Sequence, residues 1–111
     1  MRGHFKDIPA PTVGSISELR IAVDLLKTGH SVFRSLSSAC FCDLVAIKDG
    51  KTRFLEARTG YLNYSKQIVF PKIIHSKNGF PTEYAVYCSE EDKVYYIPIT
   101  EEDIKKYNKR K

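Results

Sequence analysis

At 111 residues the chain has room for one hydrophobic core and not for two, since a chain of this size buries roughly two-thirds of its unfolded surface. Hydrophobic residues make up 42% of it with no low-complexity tract, which implies a folded globule built on 7 Tyr and 6 Phe. Lys and Arg (18) exceed Asp and Glu (13), and the resulting +5 favours a phosphate-rich partner without excluding an ordinary basic protein.

Residues 1–14 contain Gly3, Pro9, Pro11 and Gly14 with no periodicity, and read as an irregular arm. Ser15 and Glu18 have the spacing of a capping box. Ile16, Leu19, Ala22, Val23 and Leu26 then recur at helical intervals, and Gly29 suits a C-terminal cap, so a helix is predicted over about 16–28. Three strands should follow, over Ser31–Leu36, Cys42–Lys48 and Arg53–Thr59. Asp49-Gly50 lies between the second and third, the strongest short signal for a hairpin turn. Residues 60–83 are broken by Gly60, Asn63, Pro71, Asn78, Gly79 and Pro81, with short strands predicted at Gln67–Phe70 and Lys72–His75. Glu83–Cys88 and Lys93–Ile97 read as a closing pair of strands. Thr100 and Asp103 repeat the capping logic and begin a short basic helix within 101–111, with Ile104 and Tyr107 facing inward. The order implies a single α/β domain over 1–111, its helix followed by a central mixed or antiparallel sheet.

The hairpin carries the chemistry. With Asp49 and Gly50 as the central turn residues, Lys48 faces Lys51, Val45 faces Phe54, and Asp43 is expected opposite Glu56. Strand alternation puts Asp43, Val45, Phe54, Glu56 and Arg58 on one face. Two carboxylates so placed repel. A shared proton, an ion pair with Arg58, or a divalent cation would each relieve them, and two carboxylates, a backbone carbonyl and water suit Mg²⁺. Plainer readings stand beside this one: Asp43 as a turn acid, Glu56–Arg58 as a solvated ion pair, and Glu18 as a helix cap.

Gly14-Ser15-Ile16-Ser17-Glu18, Asp43-Leu44-Val45-Ala46-Ile47 and Phe54-Leu55-Glu56-Ala57-Arg58-Thr59-Gly60 together resemble the PD-(D/E)XK nuclease superfamily. The likeness is to archaeal-type Holliday junction resolvases and intron-associated PD-(D/E)XK homing endonucleases. Tyr84-Ala85-Val86-Tyr87 and Val94 to Ile99 resemble the closing strands of the second group, so the likeness covers about residues 14–100.

It implies a restriction-endonuclease-like core and Mg²⁺-dependent hydrolysis of DNA phosphodiesters, with Mn²⁺ an alternative ion. Asp43, Glu56 and the Ala57 carbonyl would hold the metal, Glu18 would add an outer contact, and Arg58 would stand where the family has Lys. An Arg keeps its charge but does not serve as a base at ordinary pH. Two departures, Arg58 and the absence of a helix signal after the third strand, keep open a nuclease fold that binds nucleic acid without cutting. A small protein-interaction module is the remaining alternative. Many duplex-cutting relatives act as dimers, so a homodimer is also open.

DNA contact is expected from Lys105, Lys106, Lys109 and Arg110. No segment approaches the ~18 apolar residues of a membrane span, and the N-terminus lacks a signal peptide's apolar stretch. Cys40, Cys42 and Cys88 form neither a disulfide framework nor a zinc spacing, which suits a cytoplasmic protein. Neither a nucleophile arrangement around the three histidines nor a phosphate-binding glycine loop is present. The strand tyrosines at 84, 87, 95 and 96 read as sheet core more readily than as base-stacking residues.

Overall fold

The computed structural model describes residues 5–74 and 79–109, apart from the side chains of Tyr107 and Lys109. Its first helix, α1, spans Ala10–Lys27 and starts earlier than the apolar spacing predicts. Pro9 is the N-cap at φ −57° and ψ 143°, and Pro11 sits in the first turn, where a missing N–H has no helical partner to lose. Residues 10–14 are therefore helix rather than an irregular arm. The predicted capping box is absent because Ser15 lies inside the helix, where its hydroxyl donates to the Pro11 carbonyl at 3.2 Å. Gly29, at φ +87°, stops the helix as expected.

Six strands follow: β1 (Ser31–Arg34), β2 (Leu44–Lys48), β3 (Lys51–Leu62), β4 (Ile68–Val69), β5 (Glu83–Cys88) and β6 (Lys93–Pro98), and then helix α2 (Glu101–Lys109). The sheet order is β1-β2-β3-β5-β6, with β4 paired to the far end of β3. Every pairing is antiparallel except β3 with β5, so the sheet is mixed. The fold is the expected α/β arrangement: an N-terminal helix, a central mixed sheet and a short C-terminal helix.

Each face of the sheet has its own apolar cluster. Against one face lies α1, whose Val13, Ile21 and Leu25 pack with Leu44, Ala46, Leu55, Ala85 and Tyr87. The other face carries Tyr84 and Val86, covered by Ile74 with Ile68, Phe70 and Phe80. Most of that cover comes from the chain between β4 and β5. The described residues of this segment form no helix, in keeping with Pro71, Gly79 and Pro81, while its aromatics still supply buried area. Residues 72–74 are not a strand, correcting that expectation, and His75 lies outside the described residues.

At the start of the β3–β5 pairing, Arg53 binds Glu83 through both Nε (3.0 Å) and Nη2 (2.5 Å) and stacks 4.7 Å from the Tyr96 ring centre. The Thr100 cap forms as predicted: its N–H donates to Asp103 Oδ2 at 2.9 Å, and the Asp103 N–H donates back to its hydroxyl at 3.2 Å. Ile104 is half-buried, whereas the Tyr107 side chain lies outside the described residues.

Gly60 is the tightest point in this packing. A Cβ there would stand 2.6 Å from Val86 Cγ1, 2.9 Å from the Val69 carbonyl oxygen and 3.1 Å from Ile68 Cδ1. Gly60→Ala should destabilise the protein by about 1–3 kcal/mol, an overpacking cost measurable by urea unfolding.

Candidate functional site

The site starts from the turn. Asp49 and Gly50 both take positive φ, 52° and 75°, the two-residue turn that matches strand twist. Lys48 then faces Lys51 and Val45 faces Phe54, as the sequence predicts. Leu44, Ala46 and Leu55 pack toward α1, so Val45, Phe54, Glu56 and Arg58 lie on the opposite face.

The pairing ends one residue before the expected Asp43–Glu56 match. The last pair is Leu44 with Leu55, and the Asp43 N–H donates to the Leu55 carbonyl at 2.9 Å, so Asp43 does not come opposite Glu56. Shifted by one residue, Asp43 leaves the ladder, and its Oδ2 accepts the Ala57 N–H at 2.8 Å. From Glu56 to Gly60, β3 has β5 on one side and no strand on the side β2 has left. A strand residue's N–H and C=O point to the same edge. The Ala57 carbonyl therefore opens to that vacated edge, beside Asp43.

Glu56 is buried, and its carboxyl is pushed up to about 7, first by loss of water and next by the charge of Asp43, with Arg58 opposing both. Arg58 Nη2 lies 2.8 Å from Glu56 Oε2. The guanidinium also donates to Pro71 O at 3.1 Å, Ala57 O at 2.9 Å and Ile73 O. Arg58 thus joins Glu56 to the segment that covers the second apolar cluster. The plain reading of a solvated ion pair does not describe it, since both side chains are largely buried. The thiol of Cys42, adjacent in sequence to Asp43, is pushed up to about 11, first by burial and then by the charges of Asp43 and Glu56.

Glu18 stands apart, on the α1 side of the sheet, and its Oε1 accepts from Arg34 Nε at 2.5 Å. Among the described residues, no three His, Cys, Asp or Glu side chains gather closely enough to form a metal cluster. Lys105 and Lys106 are exposed on α2, while the Lys109 side chain and Arg110 lie outside the described residues. What the sequence reading missed is the wall beside Asp43. Phe33, Phe41, Cys42 and Val45 line a cavity of about 430 Å³, and only an exposed Phe in a short edge strand hinted at it.

A helix packed on a mixed sheet whose third strand carries a buried acid at a vacated edge defines a nuclease-like α/β architecture. No protein-family model and no curated protein matches the sequence. Among solved structures, the chain is similar to the bacterial homing endonuclease I-Ssp6803I, with a TM-score of 0.69 and 17% identity over 82% of this chain and 66% of that one. The chain thus spans just under two-thirds of that protein's length, and the likeness is one of fold. Among the described residues, no helix is long and apolar enough to cross a membrane.

The position of Glu56 has a measurable consequence. Its carboxyl titrates near 4.5 when unfolded and about 7 when folded, so the folded state holds an extra proton between those values. Stability should therefore fall as pH rises from about 4.5 to 7, by on the order of 2–3 kcal/mol from this group. Glu56→Gln should flatten that decline. Urea unfolding of both proteins at several pH values checks it, and a wild-type-minus-variant difference that stays constant across the window refutes it.

Proposed function

We propose that the protein is a Mg²⁺-dependent endonuclease that hydrolyses DNA phosphodiesters by PD-(D/E)XK-type chemistry, with Mn²⁺ able to replace Mg²⁺. The observation that carries this reading is the convergence of Asp43 and Glu56 at the open edge of β3, close enough for one charge to raise the other's pKa. A buried acid beside a second, half-buried one is unfavourable in a purely structural role, and Arg58 only partly offsets it.

The donor set fits the ion. Mg²⁺ keeps most of its waters and is commonly held by one or two carboxylates plus substrate phosphate, so Asp43, Glu56 and the Ala57 carbonyl suffice without a third acid. The bound ion would supply a water of lowered pKa and stabilise charge on the transferring phosphate. Asp43 is positioned by its bond from the Ala57 N–H, and Glu56 by its pairing with Arg58. Arg58 acts here as a positioning residue, since its donors go to Glu56 and three carbonyls and it cannot take a proton. Glu18 on the far face has at most an indirect part. The +5 charge, with Lys105 and Lys106 exposed, favours salt-dependent DNA contact.

Two expectations follow. Asp43→Ala and Glu56→Ala should each lower Mg²⁺-dependent cleavage of supercoiled, linear and branched DNA by at least about a hundredfold while the fold survives, as circular dichroism would show. Wild-type protein that binds DNA in a salt-dependent manner yet cuts no substrate with Mg²⁺ or Mn²⁺ would instead support the non-cutting alternative. Independently of activity, millimolar Mg²⁺ should raise the thermal midpoint of wild type at pH 8 by more than that of a variant with both Asp43→Asn and Glu56→Gln, because a ligand of the folded state stabilises it. Equal shifts would remove the metal site.

A further inference from the structure

The cavity beside Asp43 has a construction that points to a ligand. Phe33 pairs with Val45, and Val45 pairs with Phe54, so these three residues form one row across β1, β2 and β3 on the face of Glu56. Beyond this row the Ser35 N–H donates to the Asp43 carbonyl, and Glu56 lies two residues or ~7 Å past Phe54 on the same face. Above the first row, the Phe41 ring is held 5.1 Å from the Phe54 ring centre at a 52° tilt. Gly79 passes close to this ring: a Cβ there would stand 3.7 Å from Phe41 Cγ. Cys42 closes the wall and is the chain neighbour of Asp43. The cavity and the carboxylate site are therefore continuous through one residue.

Phe33 keeps 56% of its surface exposed, a large apolar area for a residue next to charged groups. The cavity it shares with Phe41 and Val45 is mostly apolar, with Ser35, Ser37 and Arg34 supplying polar groups around it. Arg34 adds to the rim but turns its side chain to Glu18 on the α1 side of the sheet.

Resting on the endonuclease reading, we propose that this cavity receives an unpaired nucleobase of the DNA strand whose phosphate lies at Asp43 and Glu56. Aromatic faces with a few polar groups at the margin suit a base, which has two apolar faces and a polar edge. A base still paired within a duplex cannot enter. The preferred substrate is accordingly DNA with an unpaired or easily unstacked nucleotide at the cleavage point, such as a bulge, gap or branch. Fully paired duplex must first lose the stacking of one base.

The test uses the full chain without divalent metal, so that binding is read apart from cutting. Three fluorescent DNA probes of one sequence are compared: paired duplex, the same duplex with a single bulged nucleotide, and single strand. The bulged and single-stranded probes should bind about tenfold more tightly than the duplex, in line with base–aromatic stacking of roughly 1–3 kcal/mol. Phe33→Ala, an exposed position that the fold tolerates, should erase the preference. Cys40 gives a second readout. It is an exposed cysteine lining the cavity, whereas Cys42 and Cys88 are buried, so alkylation reports on occupancy. Bulged DNA should slow Cys40 alkylation severalfold, and paired duplex at matched saturation should not.

Equal affinity for all three probes, or Cys40 protection identical with duplex and bulge, would overturn the proposal. Cleavage of paired duplex with no preference for the bulge would overturn it while leaving the endonuclease reading standing. A bulge preference erased by Phe33→Ala, in a protein that never cuts, would support the cavity's role and remove the endonuclease reading.

Discussion

Everything chemically distinctive in this protein follows from the place where β2 stops pairing with β3. Twelve residues of β3 serve in turn as partner to β2, β5 and β4, and only between Glu56 and Gly60 is the β2 edge left bare. Unpaired backbone groups in a folded core need partners. The Asp43 carboxylate supplies one for the Ala57 N–H, so an acid is drawn to the gap by backbone hydrogen bonding before any ligand is considered. The same one-residue shift that takes Asp43 out of the ladder turns its side chain along the sheet edge, toward Glu56.

Burial and Coulomb attraction compete at Glu56, and burial prevails. Arg58 lies 2.8 Å away, yet the carboxyl is still raised to about 7 because loss of water and the Asp43 charge together outweigh the ion pair. Buried ion pairs are commonly of this kind, with desolvation consuming much of the attraction. Arg58 is further divided among carbonyls of the 71–73 segment and of Ala57. It therefore stabilises the cover of the second apolar cluster as much as it neutralises Glu56. This guanidinium ties residues 71–73 to the sheet.

The hairpin was legible because its determinants are local. Asp-Gly supplies two residues that tolerate positive φ, and alternation carries the register outward from them, so Val45–Phe54 could be read directly. The same extrapolation failed at Asp43, because a ladder shift depends on what the flanking chain does. Here Ser35 claims the Asp43 carbonyl, and the Leu55 carbonyl claims its N–H. The start of α1 was misread for a related reason. Pro9 and Pro11 look like helix breakers in a sequence scan but are compatible with a helix's first turn, and the buried Val13 and Phe5 extend its apolar contact.

What the sequence determined by itself was the order of elements, the Asp-Gly hairpin, the face shared by Glu56 and Arg58, and the cap at Thr100. Each depends on residues within a few positions of one another and on fixed periods of 2 or 3.6. Tertiary structure alone decided the rest. Glu18 went to Arg34 on the opposite side of the sheet, Arg58 to the carbonyls of a distant segment, and Phe33, Phe41 and Val45 to a common wall beside the carboxylates. These outcomes depend on the parallel β3–β5 pairing and on where a long irregular crossover comes to rest. No local propensity encodes that path, because it is set by which apolar surfaces of the sheet remain to be covered.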